Sequence, residues 1–182
     1  MVTAQRLMLL GGSVMCIRYI QAAQEMGLEV LAVDKNPEAP ALPYADFSEP
    51  VDIMDPEACL QVARRQGING VVAINDFGVV SAATVAHELG LPGLPLEVAQ
   101  IATSKCQMRQ AWREAGAPTI DFRIVHSSGE LKNAVAEIGL PAIIKPCNSS
   151  GGGSRGVMLL DRHSDLDEAY RYTNSFYQDD HL

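Results

Sequence analysis

The sequence predicts an α/β fold in two parts: a parallel β-sheet with helices on both faces, then a smaller unit of helices and strands. Two observations indicate the first part, since short continuous apolar runs alternate with segments of helical periodicity and turn residues separate them. A third observation sets off the second part, because Pro92, Gly93 and Pro95 interrupt the chain and a different order of elements follows. We expect at least four parallel strands between residues 6 and about 92.

The first elements form a βαβ unit. The apolar run Leu7–Leu10 predicts a strand because it is short and ends in a glycine turn. Apolar residues at helical spacing then continue from Val14 to Gly27, which predicts a helix. The β-branched run Glu29–Val33 predicts the second strand.

Another helix and strand follow before the chain changes character. Asp55 and Pro56 are typical of a helix start, since Asp caps and Pro suits the first helical position, and Gly67 ends this helix. Gly70–Ile74 predicts a further buried strand, and an alanine-rich helix follows it as far as Gly90. Strands that alternate with helices imply a parallel sheet that is buried on both faces.

The second part begins with a helix. Ser104 and Gln107 form a capping box, and Gly116 and Pro118 end the helix that it opens. The remaining elements are expected in the order strand, helix, strand, strand and helix: Ile120–Val125, Ser127–Gly139, Ala142–Lys145, Gly156–Leu160 and Ser164–Phe176. We place domains at residues 1–94 and 118–182, joined by a helical linker at residues 95–117.

Composition and charge exclude several classes of function. The chain has 182 residues, of which 47% are hydrophobic and 20% charged, and this is typical of a folded globular protein. A formal net charge of −8 argues against binding to nucleic acid or anionic membranes, since both need clustered Lys and Arg. The apolar segment near the N-terminus is too short for a membrane span, so we expect a cytoplasmic protein.

The cysteines are far apart in the sequence. Cys16, Cys59, Cys106 and Cys147 include no Cys-x-x-Cys pair, so neither a zinc knuckle nor a dithiol motif is indicated. We expect four reduced thiols.

A glycine-rich segment after a lysine is the clearest candidate for chemistry. Lys145 ends a predicted strand, and the segment from Ser149 to Gly156 separates it from the return strand. Backbone N–H groups in such a loop can approach phosphate oxygens without obstruction, while the lysine supplies positive charge. The segment alone is equally compatible with a mobile hairpin beside a solvated lysine. It is not a P-loop, because no Gly-Lys-Ser/Thr follows the glycines.

A second lysine gives this segment its context. Lys105 opens the helix capped by Ser104, and Gly116-Ala-Pro118 ends that helix before Lys145 and the glycine-rich loop. In this combination the chain resembles the ATP-grasp superfamily, in particular the branch that includes biotin carboxylase and the large subunit of carbamoyl-phosphate synthetase. The sequence differs from the family pattern at Ser104, where the family usually has Asp. Serine keeps the capping oxygen but lacks the negative charge.

The resemblance implies a Rossmann-like pre-ATP-grasp domain, then the start of the ATP-grasp small (lid) domain. It implies an enzyme that uses ATP and Mg²⁺ to phosphorylate a small-molecule carboxylate, and the resulting acyl phosphate is then attacked by an amine or a related nucleophile. The metal ligands are expected beyond residue 182 and none within this chain, so we expect the chain alone to be inactive and to bind MgATP weakly. No catalytic residue is assigned. The implied ATP-binding residues are Lys105, Lys145, Ser149, Ser150, Gly151, Gly152, Gly153, Ser154, Arg155 and Gly156.

A second candidate site lies at the ends of the predicted parallel strands, where open α/β sheets bind ligands. The resemblance implies an acceptor-substrate site there, although Asp76 could serve only to cap the next helix. Dinucleotide binding is disfavoured because G-x-G-x-x-G is absent. A small-metabolite or nucleotide binding module without turnover and an NAD(P)-dependent oxidoreductase domain remain alternatives. The substrates stay open, and a homo-oligomer is compatible with the sequence. The candidate residues are Gly11, Gly12, Ser13, Asp34, Asn75 and Asp76.

Overall fold

The computed structural model describes residues 5–148 and 155–176, and the chain divides into two compact units, Met1–Gln100 and Ile101–Leu182. The first unit contains a four-stranded sheet in the order β3-β2-β1-β4, and every neighbouring pair of strands is parallel. The predicted parallel sheet is confirmed. Its strands are β1 (Arg6–Leu10), β2 (Glu29–Asp34), β3 (Phe47–Pro50) and β4 (Gly70–Ala73).

Four helices accompany the sheet or follow it. They are α1 (Ile17–Glu25), α2 (Pro56–Gln66), α3 (Val79–Leu89) and α4 (Leu96–Thr103). Alternate residues of β1 face opposite sides of the sheet, so Met8 and Leu10 pack with α2 and α3, whereas Leu9 packs with α1. Both faces of the sheet are therefore buried, which explains why β1 and β2 are continuous apolar runs.

The edge strand β3 was not among the strands named from the sequence. It pairs in parallel with β2, with Leu31 opposite Phe47 and Asp34 opposite Pro50. Its residues Phe47, Ser48 and Pro50 are exposed, so β3 lacks the apolar run that identified the buried strands. Proline is acceptable there because an edge strand need not donate every N–H to a neighbour.

The start and end predicted for α2 are confirmed. The Asp55 carboxylate accepts a hydrogen bond from the backbone N–H of Ala58 at 3.0 Å, and Pro56 is the first helical residue. Gly67 ends the helix in the left-handed conformation, with φ of 61°.

The second unit has its own small core. Its helices are α5 (Lys105–Glu114), α6 (Ser128–Ile138) and α7 (Leu166–Asn174), and its strands are β5 (Ala142–Ile144) and β6 (Met158–Leu160). The two strands are antiparallel and form a sheet separate from that of the first unit. Leu131, Ile144, Leu160 and Ala169 form the buried centre of this unit. The predicted domain bounds at residues 94 and 117 stay predictions.

The strand predicted at Ile120–Val125 is wrong, because this segment is irregular and pairs with neither strand of the unit. Ile120 and Ile124 are 66% and 40% exposed, so their apolar character does not indicate a buried strand. Arg113 from α5 lies 3.8 Å from the ring centroid of Phe122 and donates a hydrogen bond to the Phe122 carbonyl. Side-chain contacts to α5, rather than backbone pairing with another strand, therefore hold residues 120–125 in place.

The last helix, predicted at Ser164–Phe176, begins two residues later, at Leu166. Asp165 caps α7 by accepting from the backbone N–H groups of Asp167 and Glu168, whereas Ser164 accepts from the N–H of Asp161. Within residues 5–148 and 155–176, no helix combines the length and the apolar character needed to cross a bilayer.

Candidate functional site

A cleft of about 680 Å³ lies within the second unit. Its walls are largely apolar and come from residues 120–126, α6, β5, β6 and α7, and the carboxylate-bearing Asp121 is also among the lining residues. Four cationic residues line the same cleft: Lys105, Arg109, Arg123 and Lys145. Of these, Arg123 is paired with Glu137 at 2.8 Å. In a chain of net charge −8, this local group of positive charges indicates a site for an anion.

A contact between α5 and the segment after β5 brings the two predicted lysines into one cleft. The backbone N–H of Lys105 donates to the carbonyl oxygen of Cys147 at 2.9 Å. Ser104 caps α5 by accepting from the N–H of Gln107 at 3.4 Å, which confirms the serine half of the predicted capping box. The first turn of α5 therefore lies against the residues that follow Lys145.

The environment of Lys145 is electropositive. Partial burial lowers the pKa of Lys145, and the positive charges of Arg109 and Lys105 lower it further. Lys145 as a whole is nevertheless exposed to solvent. A bound anion would relieve this repulsion and favour the charged ammonium.

Arg109 was missed in the sequence analysis, although a signal was available. It follows Lys105 by four residues on α5, and residues at this spacing share one face of a helix. Its guanidinium donates to the Thr119 hydroxyl at 3.1 Å and lies 5.4 Å from the ring centroid of Trp112. These contacts hold Arg109 in place beside the two lysines.

The glycine-rich segment is described only at its C-terminal end. Ser149, Ser150, Gly151, Gly152, Gly153 and Ser154 lie outside the described residues, and Arg155 is exposed. Gly156 has φ of +70°, and a Cβ atom there would lie 2.9 Å from Pro146 Cγ and 3.0 Å from Phe176 Cβ. The buried Thr173 hydroxyl donates to the Gly156 carbonyl at 2.9 Å. Gly156 thus anchors the end of the segment between Pro146 and α7.

The expectation of four reduced thiols is wrong for one pair. Cys106 on α5 and Cys147 after β5 form a disulfide, with their Cα atoms 5.2 Å apart. The sequence hides this proximity because the two cysteines are 41 positions apart. Cys16 and Cys59 are free and buried, and burial raises the pKa of Cys59 to about 11.

At the carboxyl edge of the parallel sheet, Asp34 holds two loops. Its Oδ2 atom accepts from the backbone N–H of Gly12 at 2.8 Å, and its Oδ1 atom accepts from the N–H of Asn36 at 2.9 Å. Each carboxylate oxygen already binds a backbone donor, so Asp34 supports the glycine turn. Ser13 is exposed beside this turn.

Asn75, and not Asp76, caps the turn after β4. The Asn75 side-chain oxygen accepts from the N–H groups of Phe77 at 3.0 Å and Gly78 at 3.3 Å, so the capping interpretation of Asp76 is wrong. A Cβ atom on Gly11 would lie 3.1 Å from Asn75 Nδ2, which brings the turns after β1 and β4 together. Asp76 is exposed at this edge. Among residues 5–148 and 155–176, no group of His, Cys, Asp and Glu is arranged to hold a metal.

We expect Gly12→Ala to destabilise the first unit by about 1 to 3 kcal/mol, the usual range for overpacking. A methyl group at Gly12 would come within 2.5 Å of Ala39 Cβ and 2.9 Å of Asp34 Cβ. The measurement is the urea dependence of thiol labelling at Cys59, which is buried in this unit. Ser13→Ala, at the next and exposed position, should leave the midpoint unchanged. Equal midpoints for both variants would contradict the packing described for Gly12.

The family model described as the ATP-grasp N-terminal domain matches residues 20–93. The match covers most of the first unit of the chain. A formate-dependent phosphoribosylglycinamide formyltransferase of Xanthomonas campestris pv. campestris is 30% identical over 176 residues, which cover 95% of this chain and 44% of that protein. The resemblance to the N-terminal portion of ATP-grasp ligases is thus confirmed.

The similarity to solved structures extends past residues 20–93 to nearly the whole chain. Phosphoribosylglycinamide synthetase from Anaerococcus prevotii has a TM-score of 0.68 and 25% identity, covering 97% of this chain and 44% of that chain. The ADP complex of N5-carboxyaminoimidazole synthetase from Staphylococcus aureus has a TM-score of 0.77 and 19% identity, covering 94% of this chain and 45% of that chain. The chain spans less than half the length of the relatives it matches.

Proposed function

We propose that this chain supplies the N-terminal domain and the phosphate-binding part of the lid of an ATP-dependent carboxylate–amine ligase. The observation that carries the proposal is the placement of Lys105, Arg109 and Lys145 on one cleft. Neither Arg109 nor Lys145 forms an ion pair within the described part of the chain. Phosphates are the anions that such a group of cations fits in a protein related to ATP-grasp ligases.

The cations would act on the polyphosphate of ATP. Lys105 and Lys145 offer compact ammonium charges, and Arg109 offers a planar fork of N–H donors. Together they would neutralise charge that develops as the γ-phosphoryl group moves to a carboxylate oxygen. The segment from Ser149 to Gly156 would add backbone N–H donors. The acyl phosphate is then attacked by the amine, and inorganic phosphate leaves.

Magnesium, when bound, would neutralise charge on the phosphate groups. Mg²⁺ binds through carboxylates held in near-octahedral geometry, and the described residues contain no acidic cluster of this kind. Residues 5–148 and 155–176 therefore do not fit the metal, and we propose that its ligands lie beyond residue 182.

The acceptor substrate is proposed to bind at the carboxyl edge of the parallel sheet. Gly11, Gly12 and Ser13 form the turn after β1, and Asn75 and Asp76 form the turn after β4. Asp34 supports the first of these turns. The names of the relatives include formate as a carboxylate and phosphoribosylglycinamide as an amine, so we propose a small carboxylate and an amine as the substrate classes. We also propose a cytoplasmic enzyme, either monomeric or homo-oligomeric.

The reaction is tested in the full-length protein with ATP, an amine and a panel of small carboxylates that begins with ¹⁸O-labelled formate. An acyl-phosphate intermediate transfers one labelled oxygen from the carboxylate to inorganic phosphate. Mass spectrometry of the released phosphate reads out this transfer. Each carboxylate of the panel carries the same ¹⁸O label. If the released phosphate contains no ¹⁸O with any of them, the proposed reaction is contradicted.

The anion site itself predicts a pH dependence in this chain. The lowered pKa of Lys145 means that its ammonium loses its proton at a lower pH than an ordinary lysine. Pyrophosphate binds the charged form, so the contribution of Lys145 is complete well below this lowered pKa and is lost as pH rises through it.

The control is Lys145→Arg, which stays charged throughout this range. We expect the ratio of wild-type to Lys145→Arg affinity, measured by isothermal titration with pyrophosphate, to fall as pH rises. The ratio cancels ionisation of pyrophosphate. A ratio that is constant up to the pH at which ordinary lysines titrate would contradict the role of Lys145.

A further inference from the structure

The disulfide between Cys106 and Cys147 lies within the group of cations. Cys106 directly follows Lys105, and Cys147 lies two residues after Lys145. The same two elements are joined by the hydrogen bond from the Lys105 N–H to the Cys147 carbonyl. A covalent bond between these cysteines therefore fixes the two lysine-bearing elements relative to each other.

This pair differs from the other two cysteines in its surroundings. Cys106 and Cys147 are partly exposed and line the cleft with Lys105, Arg109 and Lys145. Reactive cysteines are found in partly exposed, electropositive surroundings, whereas buried cysteines are inert. Cys16 and Cys59 are fully buried in the first unit, so small reagents should reach only the pair at the cleft.

We propose that Cys106 and Cys147 form a reversible thiol–disulfide site whose oxidation state sets the affinity of the cleft for polyphosphate. The coupling rests on the proposed function, but the formation of the disulfide does not. The oxidant is a low-molecular-weight disulfide such as oxidised glutathione. One cysteine thiolate attacks it and releases one glutathione thiol, and the second cysteine attacks the mixed disulfide and releases the other. Two protein thiols are oxidised while one glutathione disulfide is reduced to two thiols.

The direction of the coupling follows from electrostatics. The positive charges of Lys105 and Arg109 on α5 repel that of Lys145 at the end of β5, and after burial this repulsion is the second cause of the lowered pKa of Lys145. In the reduced protein this repulsion favours separation of α5 from the end of β5, and an incoming anion must draw them together. The disulfide keeps the elements together before the anion arrives, so less ordering is needed on binding. By linkage, bound polyphosphate also favours the oxidised state.

The test compares the oxidised and reduced forms of the 182-residue chain. The protein is treated with oxidised glutathione or with dithiothreitol, and peptide mass spectrometry after iodoacetamide labelling identifies the Cys106–Cys147 bond. Pyrophosphate affinity is then measured by isothermal titration. We expect reduction to weaken binding about fivefold or more, within the range of typical couplings between sites. The double variant Cys106→Ser, Cys147→Ser should bind like the reduced protein under both conditions.

The outcomes separate the parts of the proposal. A bond that fails to form with oxidised glutathione overturns the redox site, whatever the affinity. A bond that forms without changing pyrophosphate affinity overturns the coupling and leaves the anion site intact. Absence of pyrophosphate binding in both states overturns the proposed phosphate site and the coupling together. Bond formation with weaker binding after reduction, and no response in the double variant, supports the proposal.

Discussion

Lys145→Ala is expected to weaken pyrophosphate binding by about tenfold to one hundredfold, measured by isothermal titration. The reason is that hydrogen bonds to charged groups contribute about 1.5 to 3 kcal/mol, and each 1.4 kcal/mol corresponds to a factor of ten in affinity. Lys145 directly follows β5 and lines the cleft. In the proposed ligase, the same change should reduce ATP-dependent phosphate release far more than Arg155→Ala, because Arg155 is exposed outside the strands.

Lys132→Ala is the matched control for this variant. Lys132 is an exposed lysine of the same unit, does not line the cleft, and pairs with Asp167 at 2.8 Å. Exposed ion pairs contribute little to stability, so this variant should fold and bind pyrophosphate normally. Equal affinities for the Lys145 and Lys132 variants would remove the basis for a phosphate site.

Gly156→Ala is expected to destabilise the second unit by about 2 to 5 kcal/mol, which combines two costs. Alanine at a positive φ costs about 1 to 2 kcal/mol, and the new Cβ would also lie 2.9 Å from Pro146 and 3.0 Å from Phe176. Gly116→Ala separates the costs, because Gly116 has φ of +68° and open space around it. It should carry only the conformational cost.

Both glycine variants are measured by urea unfolding, followed through the fluorescence of Trp112. Trp112 lies on α5 and is the only tryptophan in the chain, so its signal reports on the second unit. A Gly156 variant no less stable than the Gly116 variant would show that the packing between Pro146 and α7 does not fix the end of the loop.

The parallel sheet could be predicted because its strands are buried on both faces. Burial of both faces requires continuous apolar runs such as Leu7–Leu10, and this pattern is visible in one sequence. The helix start at Asp55 and Pro56 could also be predicted from the sequence, because a helix cap is a local interaction. Lys105 and Lys145 were found from a resemblance, and the structure places both on one cleft.

The features that escaped prediction depend on partners distant in the sequence. Ile120–Val125 has strand-like composition, but side chains of α5 fix it, and composition does not reveal which partner a segment will meet. The disulfide depends on the approach of α5 to the end of β5, which follows from the tertiary fold. Arg109 could have been predicted from its four-residue spacing from Lys105. It was not, because single basic residues on helices are common.

The two hydrogen bonds of Asp34 divide the proposed acceptor site into residues that the loops require and residues that can be varied. Gly12 and Asn36 both depend on this carboxylate, so replacing Asp34 would loosen two loops at once. Val14 and Met15, directly after the glycine turn, are 64% and 59% exposed, and their side chains do not hold these loops. Variants intended to change the acceptor at this proposed site should therefore randomise Val14 and Met15 first and retain Asp34 and the glycine turn.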